Sequence, residues 1–201
     1  MADDQSMEDV TNPLGIFWYL NVPALSSLTV TRHPSDQFRA GAWNSETFLA
    51  MLSRSSFSLD LLYISGILIS YPDLHAVLEK SSNLTHVTVH QKNADNSELD
   101  LIPSLIRDLV VPDDNLEWEN PLFDFLQLKN LVYLDLLFLG KAYNDSTIDS
   151  ISLLVRSRKS NQSIEGRTER LKAFNLSAIG EMVNVSEEGM ARFENILKGR
   201  L

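Results

Sequence analysis

A chain of 201 residues with 44% apolar side chains is long enough to bury one sizeable core, which excludes wholesale disorder. Seventeen basic residues against 27 acidic ones leave a net charge of −10, which repels a phosphate backbone and argues against nucleic acid as a partner. The absence of cysteine excludes disulfides, thiolate nucleophiles and cysteine-based metal centres.

Residues 1–13 are polar and acidic, with no apolar period, and are expected to form a disordered tail before a domain spanning 14–201. Met1 to Val10 carry acids where a secretory signal carries bases and an apolar run, so a cytoplasmic or nuclear location is expected. The apolar run at 14–20 is too short to span a bilayer, and no membrane partner is expected. Its aromatics, Phe17, Trp18 and Tyr19, suit an edge strand or a cap over the first end of the core.

From there a short apolar pattern recurs five times: Leu25-x-x-Leu28-x-Val30, Leu59-x-x-Leu62-x-Ile64, Leu84-x-x-Val87-x-Val89, Leu131-x-x-Leu134-x-Leu136 and Leu171-x-x-Phe174-x-Leu176. Each predicts a strand with alternate side chains in the core, over residues 25–31, 59–65, 84–89, 131–136 and 171–176. For the fourth, residues 122–128 are a competing candidate. Each strand leads to a helical pattern. The first helix spans 45–54 around Phe48, Leu49, Met51 and Leu52. The second spans 71–81, with Ser70 as N-cap, Pro72 in the first turn and a Leu74, Val77, Leu78 stripe. The third keeps helical spacing from Leu99 to Leu109 behind a Ser97/Asp100 capping box, but Pro103 demands a kink or a start near Ile102. The fourth, 146–158, opens on Ser146-x-x-Asp149 and buries Ile148, Ile151, Leu154 and Val155. The basic residues Arg156, Arg158 and Lys159 at its end suit a solvated helix terminus. The fifth, 186–198, buries Met190, Phe193, Ile196 and Leu197.

Strand followed by helix, repeated, predicts an α/β fold. Its expected form is a short irregular leucine-rich-repeat solenoid of about five strand–helix units, with parallel strands on one face and helices on the other. The strand starts are 34, 25, 47 and 40 residues apart, so the units are divergent and carry insertions. A doubly wound sheet ranks second. The strands lack continuous Val/Ile runs, and none ends in a Gly-rich phosphate loop.

Chemistry is sparse. No phosphate-binding, dinucleotide, nucleophile-elbow or zinc-protease motif occurs. His86 and His90 share one strand face but stand roughly 13 Å apart by strand rise, too far for one metal ion. The acidic group Asp113, Asp114, Glu117 and Glu119 lacks the glycine and spacing of a calcium loop. No cofactor and no metal are expected. The informative residues are those that alternate with the core set and face outward. Tyr63, His86, Thr88, Tyr133 and Asp135 are expected to make one contiguous patch across the middle strands, with the aromatic rings as anchors for a protein partner. The alternative is a small α/β enzyme with a site at strand ends built on Asp135, His86 or Asp60.

Several segments carry a family resemblance: Val22-Pro23-Ala24-Leu25-Ser26-Ser27-Leu28-Thr29-Val30, the run Phe48 to Ser56, Tyr71-Pro72-Asp73-Leu74 through Leu84-Thr85-His86-Val87-Thr88-Val89, and Ile148 to Arg158. In this order they resemble the leucine-rich-repeat portion of F-box-like proteins numerous in mushroom-forming fungi, over about residues 22–198. The resemblance implies a non-enzymatic recognition module that selects a protein substrate for an SCF-type ubiquitin ligase through an N-terminal F-box. Residues 1–21 are too few for an F-box, so this chain is expected to lack it.

Overall fold

Alternation of apolar and polar residues puts one face of a strand in the core and leaves the other outside it. The computed structural model, which describes residues 13–31, 43, 45–55, 58–91, 101–110, 128–139, 143–159, 171–180, 182 and 184–198, contains five such strands. They are β1 (Ser27–Thr31), β2 (Leu61–Ser65), β3 (His86–His90), β4 (Tyr133–Leu139) and β5 (Ala173–Ile179). All pair in parallel, and their spatial order is their chain order, β1-β2-β3-β4-β5. The helices are α1 (Ser45–Ser55), α2 (Tyr71–Lys80), α3 (Leu101–Leu109), α4 (Asp145–Lys159) and α5 (Glu187–Leu197). Each helix touches the next in sequence, and their apolar stripes join the inward strand residues in a single core. An α/β fold with a five-stranded parallel sheet follows. A doubly wound sheet would have reordered its strands about a switch point.

The register pairs the recurring positions with one another. Leu28, Leu62, Val87, Leu134 and Phe174 form one row across the sheet, and Val30, Ile64, Val89, Leu136 and Leu176 form the next. In the three central strands both rows are buried. At the flanks Leu28, Val30 and Phe174 are only half-buried, because among the described residues β1 and β5 each have a strand on one side alone. The fourth strand begins where the 131–136 pattern placed it, displaced two residues onward. The competing stretch lies outside the described residues apart from Leu128, which is buried.

Local chemistry sets the helix starts. Ser70 Oγ accepts from Asp73 N at 3.2 Å, so it caps as expected, and Ser186 Oγ accepts from Gly189 N at 3.0 Å and caps α5 in the same way. The fourth cap is corrected. Asn144 Oδ1, not Ser146, accepts from Thr147 N at 2.9 Å, and Ser146 lies inside the helix. Among the described residues α3 begins at Leu101, near the later of the two expected starts, so Pro103 sits in the first turn, where its missing N–H has no carbonyl to meet. The Ser97/Asp100 box is outside the described residues, as are residues 1–12 of the expected tail; Pro13 opens a 3₁₀ helix, Pro13–Trp18.

That 3₁₀ helix packs on α1 and covers the first end of the core. Phe17, Trp43 and Phe48 make a cluster with ring centroids 5.0–5.8 Å apart. Arg54 donates to the carbonyls of Phe17 and Trp18 at 2.7 and 3.0 Å, and Val22 N donates to Ser55 Oγ at 2.9 Å. The segment is a cap rather than an edge strand. At the far end, Leu197 is 54% exposed, not buried as its spacing suggested, and Met190 is half-buried.

Arg158 is the largest departure from expectation. It is 3% exposed rather than solvated, and burial lowers its pKa to about 10. Its guanidinium donates to the Leu109 carbonyl at 3.3 and 3.4 Å and to the Leu128 carbonyl at 3.1 Å. Those carbonyls stand at the end of α3 and ahead of β4. Its own carbonyl accepts from Leu171 N at 3.3 Å, which ties the end of α4 to the start of the β5 segment.

Two outcomes are expected from equilibrium denaturant melts. Leu134→Ala, at the centre of the buried row, should destabilise by about 2–5 kcal/mol through lost burial and a cavity. Arg158→Met should destabilise by about 1–3 kcal/mol, because the Leu109 and Leu128 carbonyls lose their donor while remaining buried. An unchanged midpoint for Leu134→Ala would contradict the register.

Candidate functional site

The residues that alternate with the core rows also align across the sheet. One rung reads Ser27, Leu61, His86, Tyr133, Ala173; the next Thr29, Tyr63, Thr88, Asp135, Asn175; the third Thr31, Ser65, His90, Leu137, Ser177. Parallel strands about 4.8 Å apart bring such rungs into contact. All five residues expected in the patch are therefore neighbours. Thr88 is the centre, with Tyr63 and Asp135 beside it on adjacent strands and His86 and His90 two residues before and after it.

Thr88 itself is 8% exposed, so it forms the floor of the patch and not an exposed contact. A three-heavy-atom side chain among two imidazoles and a phenol ring is shaded by them. His86 is exposed, and Tyr63, Tyr133, Asp135 and His90 are half-buried.

Side-chain contacts join these residues into a network. The His86 ring stacks on Tyr133, centroids 5.5 Å apart and planes 26° apart. Tyr63 meets His90 edge-on at 5.5 Å, with its hydroxyl 3.5 Å from Nδ1. His90 Nε2 lies 3.5 Å from Asp135 Oδ2. The Tyr133 hydroxyl donates to the same oxygen at 3.4 Å and accepts from Asn175 Nδ2 at 2.9 Å. Only the Asn175 bond is short; the others sit at the outer limit of hydrogen bonding, which leaves the carboxylate with lone pairs to offer. A neutral His90 with its proton on Nε2 satisfies both of its contacts, since Nδ1 then accepts from Tyr63 and Nε2 donates to Asp135. For His86 the tautomer reverses. The Thr85 hydroxyl spends its proton on the Asp60 carbonyl at 3.0 Å, so its oxygen accepts from His86 Nδ1 at 2.8 Å.

His90 and Asn175 complete the network without having been singled out from the sequence. Their outward position was legible from strand alternation. Their importance arises from adjacency across strands, Asn175 to Tyr133 and His90 to Tyr63 and Asp135, which no local pattern reveals.

The residues of the enzyme alternative do not converge at the carboxyl ends of the strands. His86 opens β3 and Asp60 precedes β2, both at amino ends, while Asp135 lies within β4. Beside the network a depression of about 430 Å³ is lined by His90, Asp135, Leu137, Asn175 and Ser177 and reaches round β5 to Phe174, Leu176 and Leu197. Among the described residues no group of three or more His, Asp or Glu is placed to hold a metal ion, and no helix is long and apolar enough to cross a membrane.

No protein-family model, curated protein or solved structure matches this chain.

The network is laid on the sheet rather than built into its core. Asp135→Asn keeps an oxygen to accept from the Tyr133 hydroxyl and from His90 Nε2, and loses only the charge on these long contacts. Its thermal melt should therefore stay within about 1 kcal/mol of the parent. A larger loss would make Asp135 a structural residue.

Proposed function

We propose that the chain is a non-enzymatic protein-interaction module, a short irregular leucine-rich-repeat solenoid that recognises a protein partner on the outward face of its sheet. The observation that carries this reading is the contiguous Tyr63–His90–Asp135–Tyr133–Asn175 network with His86 stacked at its margin. Rigid aromatic rings give contact area at low entropy cost, and the amide, carboxylate and hydroxyls around them orient a partner. Strands in chain order with consecutive helices in contact support a solenoid over a doubly wound enzyme sheet. A role as the substrate-recognition part of an SCF-type ubiquitin ligase rests on the resemblance to F-box-like proteins, and a cytoplasmic or nuclear setting goes with it.

The test uses Tyr63→Ala combined with Tyr133→Ala. Neither ring belongs to the helix-side core, so the variant should melt close to the parent. Its capture of the partner, quantified by affinity purification and mass spectrometry, should fall more than tenfold, the equivalent of about 1.4 kcal/mol. Undiminished capture by a folded double variant removes the outward face from recognition. Recovery of a cullin-type ligase adaptor with the parent chain tests the ubiquitin role separately.

A further inference from the structure

We propose that this chain forms a two-fold symmetric dimer by antiparallel pairing of the open edge of β5 with β5 of a second copy, centred on Leu176.

The backbone of β5 carries the argument. Ala173 N donates to the Val132 carbonyl, toward β4. Peptide groups alternate along a strand, so Asn175, Ser177 and Ile179 also turn their N–H and C=O toward β4, while Phe174, Leu176 and Ala178 turn theirs away from it. Among the described residues no strand pairs with that side. Natural edges are blunted by charge, proline, a bulge or brevity. β5 has none of these: it is seven residues long, contains no charged residue and no proline, and pairs with β4 without interruption.

The sequence of this edge is complementary to itself. Under a two-fold axis through Leu176, Phe174 faces Ala178 of the second copy, Ala173 faces Ile179, Asn175 faces Ser177 and Leu176 faces its own image. Large side chains meet small ones, and an amide meets a hydroxyl. Asn175 Nδ2 is already given to Tyr133, which leaves its carbonyl oxygen to accept from the Ser177 hydroxyl opposite. The three outward-pointing residues are those that the axis places in hydrogen-bonded pairs, where partners exchange both N–H···O bonds. Apolar surface flanks the same edge. Ile179 is 41% and Leu197 54% exposed, Phe174 is half-buried, and the depression of about 430 Å³ wraps around the strand here. A second copy would cover all of it and continue the core past Phe174.

Sedimentation equilibrium of the full chain over a range of concentrations in 0.15 M salt should show a species of twice 22.7 kDa. With a net charge of −10 on each copy, association should strengthen as salt rises. Amide exchange followed by NMR gives the site. Protection at Phe174, Leu176 and Ala178 should appear with concentration, while Asn175 and Ser177, bonded to β4, stay protected throughout. Ile179→Lys, at an exposed position, should melt like the parent at dilutions where both are monomeric and weaken the dimer at least tenfold. A monomer at every concentration overturns the proposal. So does growth beyond two copies, a dimer whose Phe174, Leu176 and Ala178 amides exchange freely, or an Ile179→Lys dimer as tight as the parent's.

Discussion

Everything in this molecule depends on the register of its parallel strands. Leu62, Val87 and Leu134 occupy one row and Ile64, Val89 and Leu136 the next because equivalent residues of successive units lie side by side. A shift of one residue in any strand would turn its leucines to the outer face and its polar residues into the core. With both central rows buried, that error is costly, so the register is strongly specified. The outer rungs come with it. Tyr63, Thr88 and Asp135 are adjacent not because they attract one another strongly but because the core residues on either side of them are locked.

This explains which features were legible in the sequence. The recurring Leu-x-x-Leu-x-Leu pattern reports the core directly, so the strands, their alignment and the outward set could be read from spacing alone, to within two residues at the starts and three at the ends. Features decided by a single contact between distant residues could not. Ser146 and Asn144 are both good helix caps, and only the position of the helix start chooses between them. Arg158 reads as one more basic residue in a charged helix end; what buries it is the pair of carbonyls at Leu109 and Leu128, 49 and 30 residues away. Leu197 continues an apolar stripe that outlasts the surface available to cover it.

Arg158 also shows how distant parts of the chain are held in place. Loop-closure entropy rises slowly with length, so a long connection costs little extra once its ends are fixed. The buried guanidinium holds Leu109 and Leu128, and its own carbonyl holds Leu171, so both connections start and finish at fixed points. A lysine, with a single compact head, would not span both carbonyls in the same way. The desolvation that lowers the arginine's pKa is the cost of placing this fork where apolar packing alone could not fix two chain ends.

The two ends of the sheet are treated differently. At β1 the 3₁₀ helix, the Phe17–Trp43–Phe48 cluster and Arg54 close the apolar layer. At β5 the core row ends in a half-exposed Phe174, and α5 leaves Leu197 in water. Among the described residues β5 is paired on one side alone, so fewer backbone bonds hold it than hold the central strands. Asn175 lies in β5 and holds the Tyr133 hydroxyl. Order at the β5 edge therefore reaches the polar network through one hydrogen bond, and whatever covers the edge would also steady the Tyr133 ring.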